Sequence, residues 1–448
     1  MFDTILIANR GEIAARVIRT ANKMGIRTVA VYSEADAGAP HVEAADEAVE
    51  IGPARVTDSY LKIEAVIDAA KEHDAEAIHP GYGLLSENPE FVRAVEDAGI
   101  TFIGPRPEVM ELMGNKSAAR EFANNADCPT VPGSDGAVES VDEAHEIAEE
   151  LGYPVLVKAS AGGGGIGMNL ATNADKLEKA IETSKRRAES AFGDPTFYIE
   201  KYIENPRHVE VQVMADNDGH AVHFFERECS VQRRHQKVIE EAPSPASAQF
   251  ENLREQMGQA ALNLVEAADY TNAGTVEFIL SPNGDFYFIE MNTRLQVEHP
   301  CTEMITGHDL VEWQIRIAAG EALQVQQDEL SIDGHSIECR IYAENPDKRF
   351  MPAPGNIGEY SEPSGEGIRV DSGVTAGYKV TPHYDPMVAK VITHGADRDA
   401  AIERMKTALK NYHIGELTTN IPMHLEVLDH EDFRAGDVHT SWLEDEYL

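Results

Sequence analysis

The sequence predicts a multidomain protein, part α/β and part α+β. Three observations carry this. The chain has 448 residues, enough for two or three domains with sizeable cores. It opens on a strand, a helix and a second strand, the pattern of a right-handed βαβ unit. Its middle carries alternating strands, two of them joined through Asn283-Gly284, the dipeptide favoured in tight hairpin turns.

Residues 1–113 read as a Rossmann-like domain. Thr4-Ile5-Leu6-Ile7-Ala8 is a buried strand, Gly11 through Met24 a helix, and Thr28-Val29-Ala30-Val31-Tyr32 the second strand. The turn Asn9-Arg10-Gly11-Glu12 lacks the GxGxxG fingerprint, which excludes dinucleotide binding. Ala77-Ile78-His79 ends another strand and leads into the loop Pro80 to Asn88. The two glycines of that loop permit close backbone approach to a ligand, and serve a tight turn equally well. After Phe102-Ile103-Gly104-Pro105 the pattern changes, and a helix opens at Lys116, which places a boundary near residue 113.

Residues 114–330 form the second region. Pro154-Val155-Leu156-Val157-Lys158 is a strand that runs into a loop with five glycines in the six positions 162–167. Each glycine costs order, up to about 1 kcal/mol relative to alanine in a regular element, so a flexible linker is one reading. The other is a loop whose exposed amides close over phosphates beside Lys158, although it is not the GxxxxGK[ST] P-loop. Phe197 to Ile203 is a strand and connector, and His208 to Met214 a further alternating strand. Glu226 to Lys237 is dense in cations for so acidic a chain, and fits either a solvated face or an anion site for phosphate or bicarbonate. A third region, 331–448, starts with the strand Gly334 to Ile341 and runs through short strands to a helical end.

The run Glu290 to Pro300 organises the middle of the chain. Read as one strand from Phe286, it places Glu290, Asn292, Arg294, Gln296 and Glu298 on one face and Tyr287, Ile289, Met291, Leu295 and Val297 on the other. With Asn283-Gly284 as a two-residue tip, Glu277 falls directly opposite Glu290, the two β-carbons about 5 Å apart. Like charges repel there unless a cation lies between them. Carboxylate and amide oxygens suit Mg²⁺ or Mn²⁺, and Asn292 adds one more oxygen on the same face. A one-residue bulge would change this register.

With 78 acidic against 38 basic residues, the net charge of −40 repels nucleic acid and anionic membranes, so neither is expected as a partner. The acids are interleaved with apolar positions at helical spacing, as in Val141 to Glu150, and read as solvated helix faces rather than disorder. Such an acidic, lysine-poor chain resembles proteins of high-salt cytoplasm. No apolar run reaches the roughly 20 residues that span a bilayer, and the start has no signal-peptide pattern, so a cytoplasmic location is expected. Cys128, Cys229, Cys301 and Cys339 lack CxxC spacing and read as plain thiols.

Taken together, the strand Glu290 to Glu298, the glycine loop after Lys158, Arg233-Arg234-His235-Gln236-Lys237 and Glu338-Cys339-Arg340 resemble the biotin carboxylase family. Ile7 to Ala14 and His79 to Asn88 extend the likeness over essentially the whole chain. The resemblance implies an ATP-grasp domain over 114–330, with a lid over about 131–203, and a mixed α+β C-terminal domain over 331–448. It also implies roles. Lys116, Lys158, the Gly164-Gly165 backbone, Met168, Glu200, Lys201, Tyr202, Ile203, His208, Gln232, His235 and Ile279 would bind ATP. Glu277, Glu290 and Asn292 would hold Mg²⁺ or Mn²⁺. Bicarbonate would sit among Lys237, Arg294, Gln296 and Val297, with Glu298 as its general base. Arg340 would stabilise the enolate of biotin, and Tyr82 would line the substrate side.

The implied reaction is attack of bicarbonate on the γ-phosphorus of ATP, giving carboxyphosphate, followed by CO₂ transfer to biotin. One departure is Ile166, where the family commonly has Arg or Lys after its glycine run. Arg340 and the cations around Lys237 argue against other ATP-grasp ligases, such as a purine-pathway carboxylase or a carbamoyl-phosphate synthetase half. Implied partners are a biotin carboxyl carrier protein or domain, a second copy of the chain and a carboxyltransferase subunit. No Met-Lys-Met segment and no lysine after Lys410 occurs, so biotin is expected to arrive on another polypeptide.

Overall fold

The computed structural model describes residues 1–134, 136–159, 168–192 and 196–447. The N-terminal region is doubly wound. Strands β1 (Thr4–Ile7), β2 (Arg27–Tyr32), β3 (Glu47–Glu50), β4 (Ala77–His79) and β5 (Thr101–Phe102) form a parallel sheet in the order β3-β2-β1-β4-β5. Helix α1 (Gly11–Lys23) connects β1 to β2. Its Ile13, Ala14, Val17, Ile18 and Ala21 are buried at the spacing of one helix face. Helices α2 (Pro40–Ala44), α3 (Ile63–Glu72), α4 (Pro89–Asp97) and α5 (Pro107–Gly114) complete the region. As expected, the next helix, α6 (Lys116–Asn125), opens at Lys116.

A small antiparallel sheet follows, with β6 (Val155–Ala159) between β7 (Asn169–Ala171) and β8 (Phe197–Lys201). Helices α7 (Val141–Leu151) and α8 (Ala174–Phe192) cover it, and Val155, Val157, Leu177, Ile181, Phe197 and Ile199 form a core of its own. Only Ala144 and Ala148 of α7 are fully buried, so its acids face solvent as the sequence predicts. The glycine loop, including Gly164, Gly165 and Ile166, lies outside the described residues.

The main body is an eight-stranded antiparallel sheet. Its strands are β9 (Arg207–Ala215), β10 (Ala221–Arg233), β11 (Gln236–Ala242), β12 (Asn272–Leu280), β13 (Phe286–Asn292), β14 (His335–Tyr342) and two later strands, Ile368–Ser372 and Met387–Gly395. They run in the order β13-β12-β9-β10-β11-β14, then Met387–Gly395, then Ile368–Ser372. The sheet therefore continues across residue 330, and β11 pairs directly with β14. Helices α9 (Leu253–Ala267), α10 (His299–Thr306), α11 (Leu310–Ala318), α12 (Arg398–Asn411), α13 (Ile421–Asp429) and α14 (Glu431–Ala435) pack around it. Among the described residues no helix is long and apolar enough to cross a membrane.

The β12–β13 hairpin corrects the sequence reading in two places. Its tip is a three-residue loop, with Ser281 N donating to Asp285 O at 2.8 Å and Gly284 N to Ser281 O at 3.0 Å; Gly284 has φ +95°, the left-handed region that glycine tolerates. A bulge then falls between the pairs Phe278–Phe288 and Glu277–Glu290, leaving Ile289 unpaired. The two one-residue offsets cancel, and Glu277 does face Glu290. The bulge also changes which side chains point inward: Phe288 is buried at 4% exposure, whereas Ile289 is 38% exposed.

The strand also ends sooner than the alternation implies. β13 stops at Asn292, and residues 293–298 form a turn leading to α10, whose first turn holds Pro300. Arg294, Gln296 and Glu298 therefore do not share a strand face with Glu290. Beyond Asn292 the segment turns to the N-terminal region, where the Thr293 N–H donates to Glu87 Oε1 at 3.2 Å.

Candidate active site

Four neighbouring strands assemble the acids. The register aligns Glu290 of β13 with Glu277 of β12, Glu277 with Glu210 of β9, and Glu210 with Arg227 of β10. Directly opposed residues on antiparallel strands share a face, so three carboxylates stand in a row ended by a guanidinium. Side-chain cations answer much of the repulsion. Lys237 Nζ donates to Glu210 at 2.6 Å, to Glu277 at 2.9 Å and to Glu298 at 2.7 Å. His208 Nε2 lies 3.2 Å from Glu277, and Lys116 Nζ lies 3.3 Å from Glu290. Burial alone would lower the Lys237 pKa, but the surrounding carboxylates reverse this and hold the ammonium well above its ordinary value. Glu277 is correspondingly held well below the usual range: burial opposes its charge, and Lys237 and His208 outweigh burial.

Glu298 stands at the start of α10, its two oxygens taken by Lys237 and by Arg340 Nη2, the latter at 3.0 Å. Burial would push its carboxyl up, but Lys237, Arg340 and Arg227 together hold it far below the ordinary range, so it is ionised. Arg340 is oriented by Glu240, to which its Nε donates at 2.6 Å. The Val297 carbonyl accepts from the fully buried Lys390 at 2.7 Å. Gln296 donates to Glu277 at 2.8 Å and accepts from Arg227 at 2.7 Å. Arg294 turns back on its own segment and on the N-terminal region, donating to Asn292 Oδ1 at 2.9 Å and to Glu87 at 2.8 Å.

The Glu226 to Lys237 cluster is therefore not a solvated face. Arg227 is fully buried and paired with Glu210, and Arg233 pairs with Glu344 at 2.7 Å. Only at the β10–β11 turn do Arg234 and His235 reach solvent, with φ of 52° and 65°. Gln232 lies one strand in and bonds His208 Nδ1 at 2.8 Å.

On the side of the small sheet, Lys158 and Arg120 both bond Glu200. The Lys201 side chain instead donates to Gly152 O at 2.8 Å, and the Tyr202 backbone N–H to Pro154 O at 3.1 Å. Ile203 is partly buried, Met168 is 37% exposed, and Ile279 pairs with His208 across β12 and β9. In the Pro80 to Asn88 loop, Asn9 Nδ2 donates to Pro80 O at 2.6 Å and to Tyr82 O at 2.9 Å. A Cβ on Gly81, at φ +62°, would come within 2.9 Å of Asn9 Nδ2, so the glycine serves a tight turn. The same loop carries Tyr82, whose ring lies 5.8 Å from Lys390 Nζ, and Glu87, which meets Arg294.

The donor set fits a divalent ion. Glu277, Glu290 and Asn292 bring two carboxylates and an amide to adjoining strands. The Asn292 amide oxygen, which accepts from Arg294 at 2.9 Å, and the Glu290 carboxylate, 38% exposed, are hard oxygen donors of the kind such an ion takes. Ligand atoms of His208, Glu210 and Glu277 also lie within 4.8 Å of one another. Sequence reasoning missed Glu210, Arg227, Glu240, Lys390 and Glu87. Glu210 faces Glu277 across β9 and β12, strands that no turn joins, so local arithmetic does not connect them. Glu87 and Lys390 come from distant segments and leave no local signal.

Three family models match the chain: "Biotin carboxylase, N-terminal domain" over residues 1–110, "Carbamoyl-phosphate synthase L chain, ATP binding domain" over 115–326, and "Biotin carboxylase C-terminal domain" over 338–445. The chain is 55% identical over 443 residues to a biotin carboxylase of Halalkalibacterium halodurans, covering 99% of this chain and 97% of that protein. It is 54% identical to a pyruvate carboxylase subunit of Methanothermobacter thermautotrophicus, covering 100% of this chain and 90% of that one. Among solved structures, the biotin carboxylase domain dimer of Hydrogenobacter thermophilus 2-oxoglutarate carboxylase, in complex with MgADP, ADP and bicarbonate, superposes with a TM-score of 0.89. It is 49% identical, with 99% of this chain and 98% of that chain covered. A biotin carboxylase–nucleotide complex from Campylobacter jejuni gives a TM-score of 0.92 at 46% identity, covering 99% of both chains.

Proposed function

The chain belongs to the biotin carboxylase family, and from that membership we infer that it carboxylates biotin at the expense of ATP and bicarbonate. The observation that carries this reading is the convergence of Lys237, Glu298 and Arg340 beside the row Glu290, Glu277 and Glu210.

Each residue does something definite in that reaction. Lys237, with Arg294 and the backbone around Gln296 and Val297, would bind bicarbonate; Arg294 would do so in forked geometry once released from Glu87. Glu298, ionised beside two cations, would accept the bicarbonate proton as the oxygen attacks the γ-phosphorus. Lys116, Lys158, His208 and His235 would grip ATP, with Glu200 orienting Lys158. Met168, Lys201, Tyr202, Ile203, Gln232 and Ile279 would surround the nucleotide. Glu277, Glu290 and Asn292 would hold Mg²⁺ or Mn²⁺, which when bound neutralises charge on the transferring phosphoryl group. Arg340, fixed by Glu240, would stabilise the biotin enolate, with Tyr82 on the substrate side. Closure of the small sheet, about 131–203, would keep water from the labile carboxyphosphate.

The reading extends to partners. Biotin is presented on a carrier protein or domain, a separate carboxyltransferase uses the product, and two copies of the chain pair. The dimeric state of the 2-oxoglutarate carboxylase domain supports this pairing. Tethering raises effective concentration to about millimolar, so biotinylated carrier is the better substrate and free biotin a poor one. The deciding assay is bicarbonate-dependent ATP hydrolysis with and without biotin, in the parent and in Glu298→Gln. Stimulation by biotin in the parent and its loss in the variant are expected; an unaffected variant would remove Glu298 from the chemistry.

A further inference from the structure

Behind Arg340 lies a pair of acids, of which one, Glu240, positions Arg340 and the other, Glu338, has no part in the chemistry described above. Glu240 of β11 and Glu338 of β14 are directly opposed in the sheet register, so both side chains stand on one face. Both residues are fully buried. Glu240 Oε1 lies 2.5 Å from Arg340 Nη2, the nitrogen that also donates to Glu298 Oε2 at 3.0 Å. One nitrogen thus touches both carboxylates, which leaves Glu240 and Glu298 close enough for a single water to bridge. Glu240 Oε2 and both oxygens of Glu338 have no hydrogen-bond partner among the described residues.

The charges around the pair explain its state. Arg340, Glu298 and Lys237 face Glu240; Lys390, Arg340, Glu298 and Glu240 itself face Glu338; and Cys301 of α10 flanks both, its Sγ on Glu240 O at 3.7 Å. Lys390 gives its proton donors elsewhere, to Val297 O at 2.7 Å, and it lies 3.4 Å from Glu12. Two facing carboxylates, both fully buried, cannot both stay ionised, so the pair holds a proton. Burial, partly offset by Arg340, puts the Glu240 carboxyl at about 7, and burial pushes Glu338 well above the ordinary range.

We propose that Glu240 and Glu338 form a proton store behind Arg340, which takes the proton Glu298 draws from bicarbonate and then releases it to solvent. The proposal rests on Glu298 being the base. The bicarbonate O–H bond breaks as an O–H bond forms on Glu298. That bond breaks in turn, a new one forms on Glu240 across one water, and the pair passes from one proton to two. Glu298 regains its charge between Lys237 and Arg340, which disfavour its protonated form and so drive the transfer. Conversion of bicarbonate, ATP and biotin to ADP, phosphate and carboxybiotin liberates one proton per turnover near neutrality, the proton the store hands on.

The test uses Glu240→Gln, which keeps an oxygen for Arg340 but cannot take up a proton. A residue that only positions Arg340 would lower kcat without moving its pH dependence. The store requires kcat for biotin carboxylation to fall at least fivefold at pH 7, with KM for bicarbonate and ATP within twofold. It also requires the kcat–pH profile to shift and the D₂O effect on kcat to rise. An unchanged pH profile and D₂O effect would overturn it, whatever the change in kcat. If the variant does not fold, infrared spectroscopy of the parent carrying ¹³C-labelled glutamate decides. A protonated carboxyl band at pH 7, sensitive to D₂O, is expected, and its absence would overturn the store. Glu298→Gln separates the two claims. If it is inactive while Glu240→Gln keeps the parent's pH profile and D₂O effect, the base stands and the store falls; an active Glu298→Gln removes the base itself.

Discussion

Glu290 is the least supported of the three aligned carboxylates: its side chain is 38% exposed and its neighbouring cation is Lys116, itself 57% exposed. Glu277 and Glu210, by contrast, are saturated by Lys237 and Arg227. Glu290 is thus the acid freest to serve a divalent ion. Glu290→Gln removes one ligand charge while leaving shape, and such a loss of charge stabilisation costs about 3 kcal/mol, roughly a hundredfold in rate. Turnover at saturating Mg²⁺ is expected to fall by that factor with the melting temperature unchanged; a rate within threefold of the parent would exclude Glu290 as a ligand. At this scale the sequence was partly legible. Glu277 and Glu290 could be paired because a turn dipeptide lies between them, whereas Glu210 and Arg227 belong to a different hairpin.

The β12–β13 hairpin shows how an element can reach the expected pairing by an unexpected path. Plain alternation from Glu290 back to Phe286 puts Ile289 in the core and Phe288 on the polar face, and the bulge inverts this. Two substitutions separate the alternatives. Phe288→Ala should lower stability by about 3–5 kcal/mol, the usual cost of emptying a buried aromatic site. Ile289→Ser should stay within about 0.5 kcal/mol, as surface changes do. Urea-unfolding midpoints of the two variants check this, and the reverse order would exclude the bulge. Nothing in the local pattern announces the bulge, because Phe286, Tyr287, Phe288 and Ile289 are all apolar or aromatic and alternation cannot be read from them.

For the molecule as a whole, the net charge of −40 is a self-repulsion that mobile cations relieve. The screening length falls from about 10 Å at 0.1 M salt to about 3 Å at 1 M, so the melting temperature should rise in molar KCl relative to dilute buffer. A melting temperature indifferent to KCl would contradict this. Acid should destabilise the fold through its buried imidazoles. His41, His79 and His424 are fully buried, and burial brings each down to about 4. Unfolded, they take up protons near 6.5, so the unfolded chain binds more protons between about 6.5 and 4 and stability falls as pH falls through that window. Full participation of all three contributes a slope of about 4 kcal/mol per pH unit. Denaturant midpoints from pH 7 to 4.5 measure it, and a flat profile would count against their burial as neutral rings.

By itself the sequence determined the βαβ opening, the helix starting at Lys116, the hairpin that joins β12 to β13, and the motifs that marked the family. All of these are local periods or short spacings, which a chain carries wherever it folds. Only tertiary structure shows where β13 stops: past Asn292 the Thr293 N–H and the Arg294 side chain turn to Glu87, 206 and 207 residues away. The same holds for Arg340, set between Glu240 and Glu298, and for Lys390, which holds the Val297 carbonyl across 93 residues. Buried charges must find partners, and in this protein those partners come from segments that no local pattern connects.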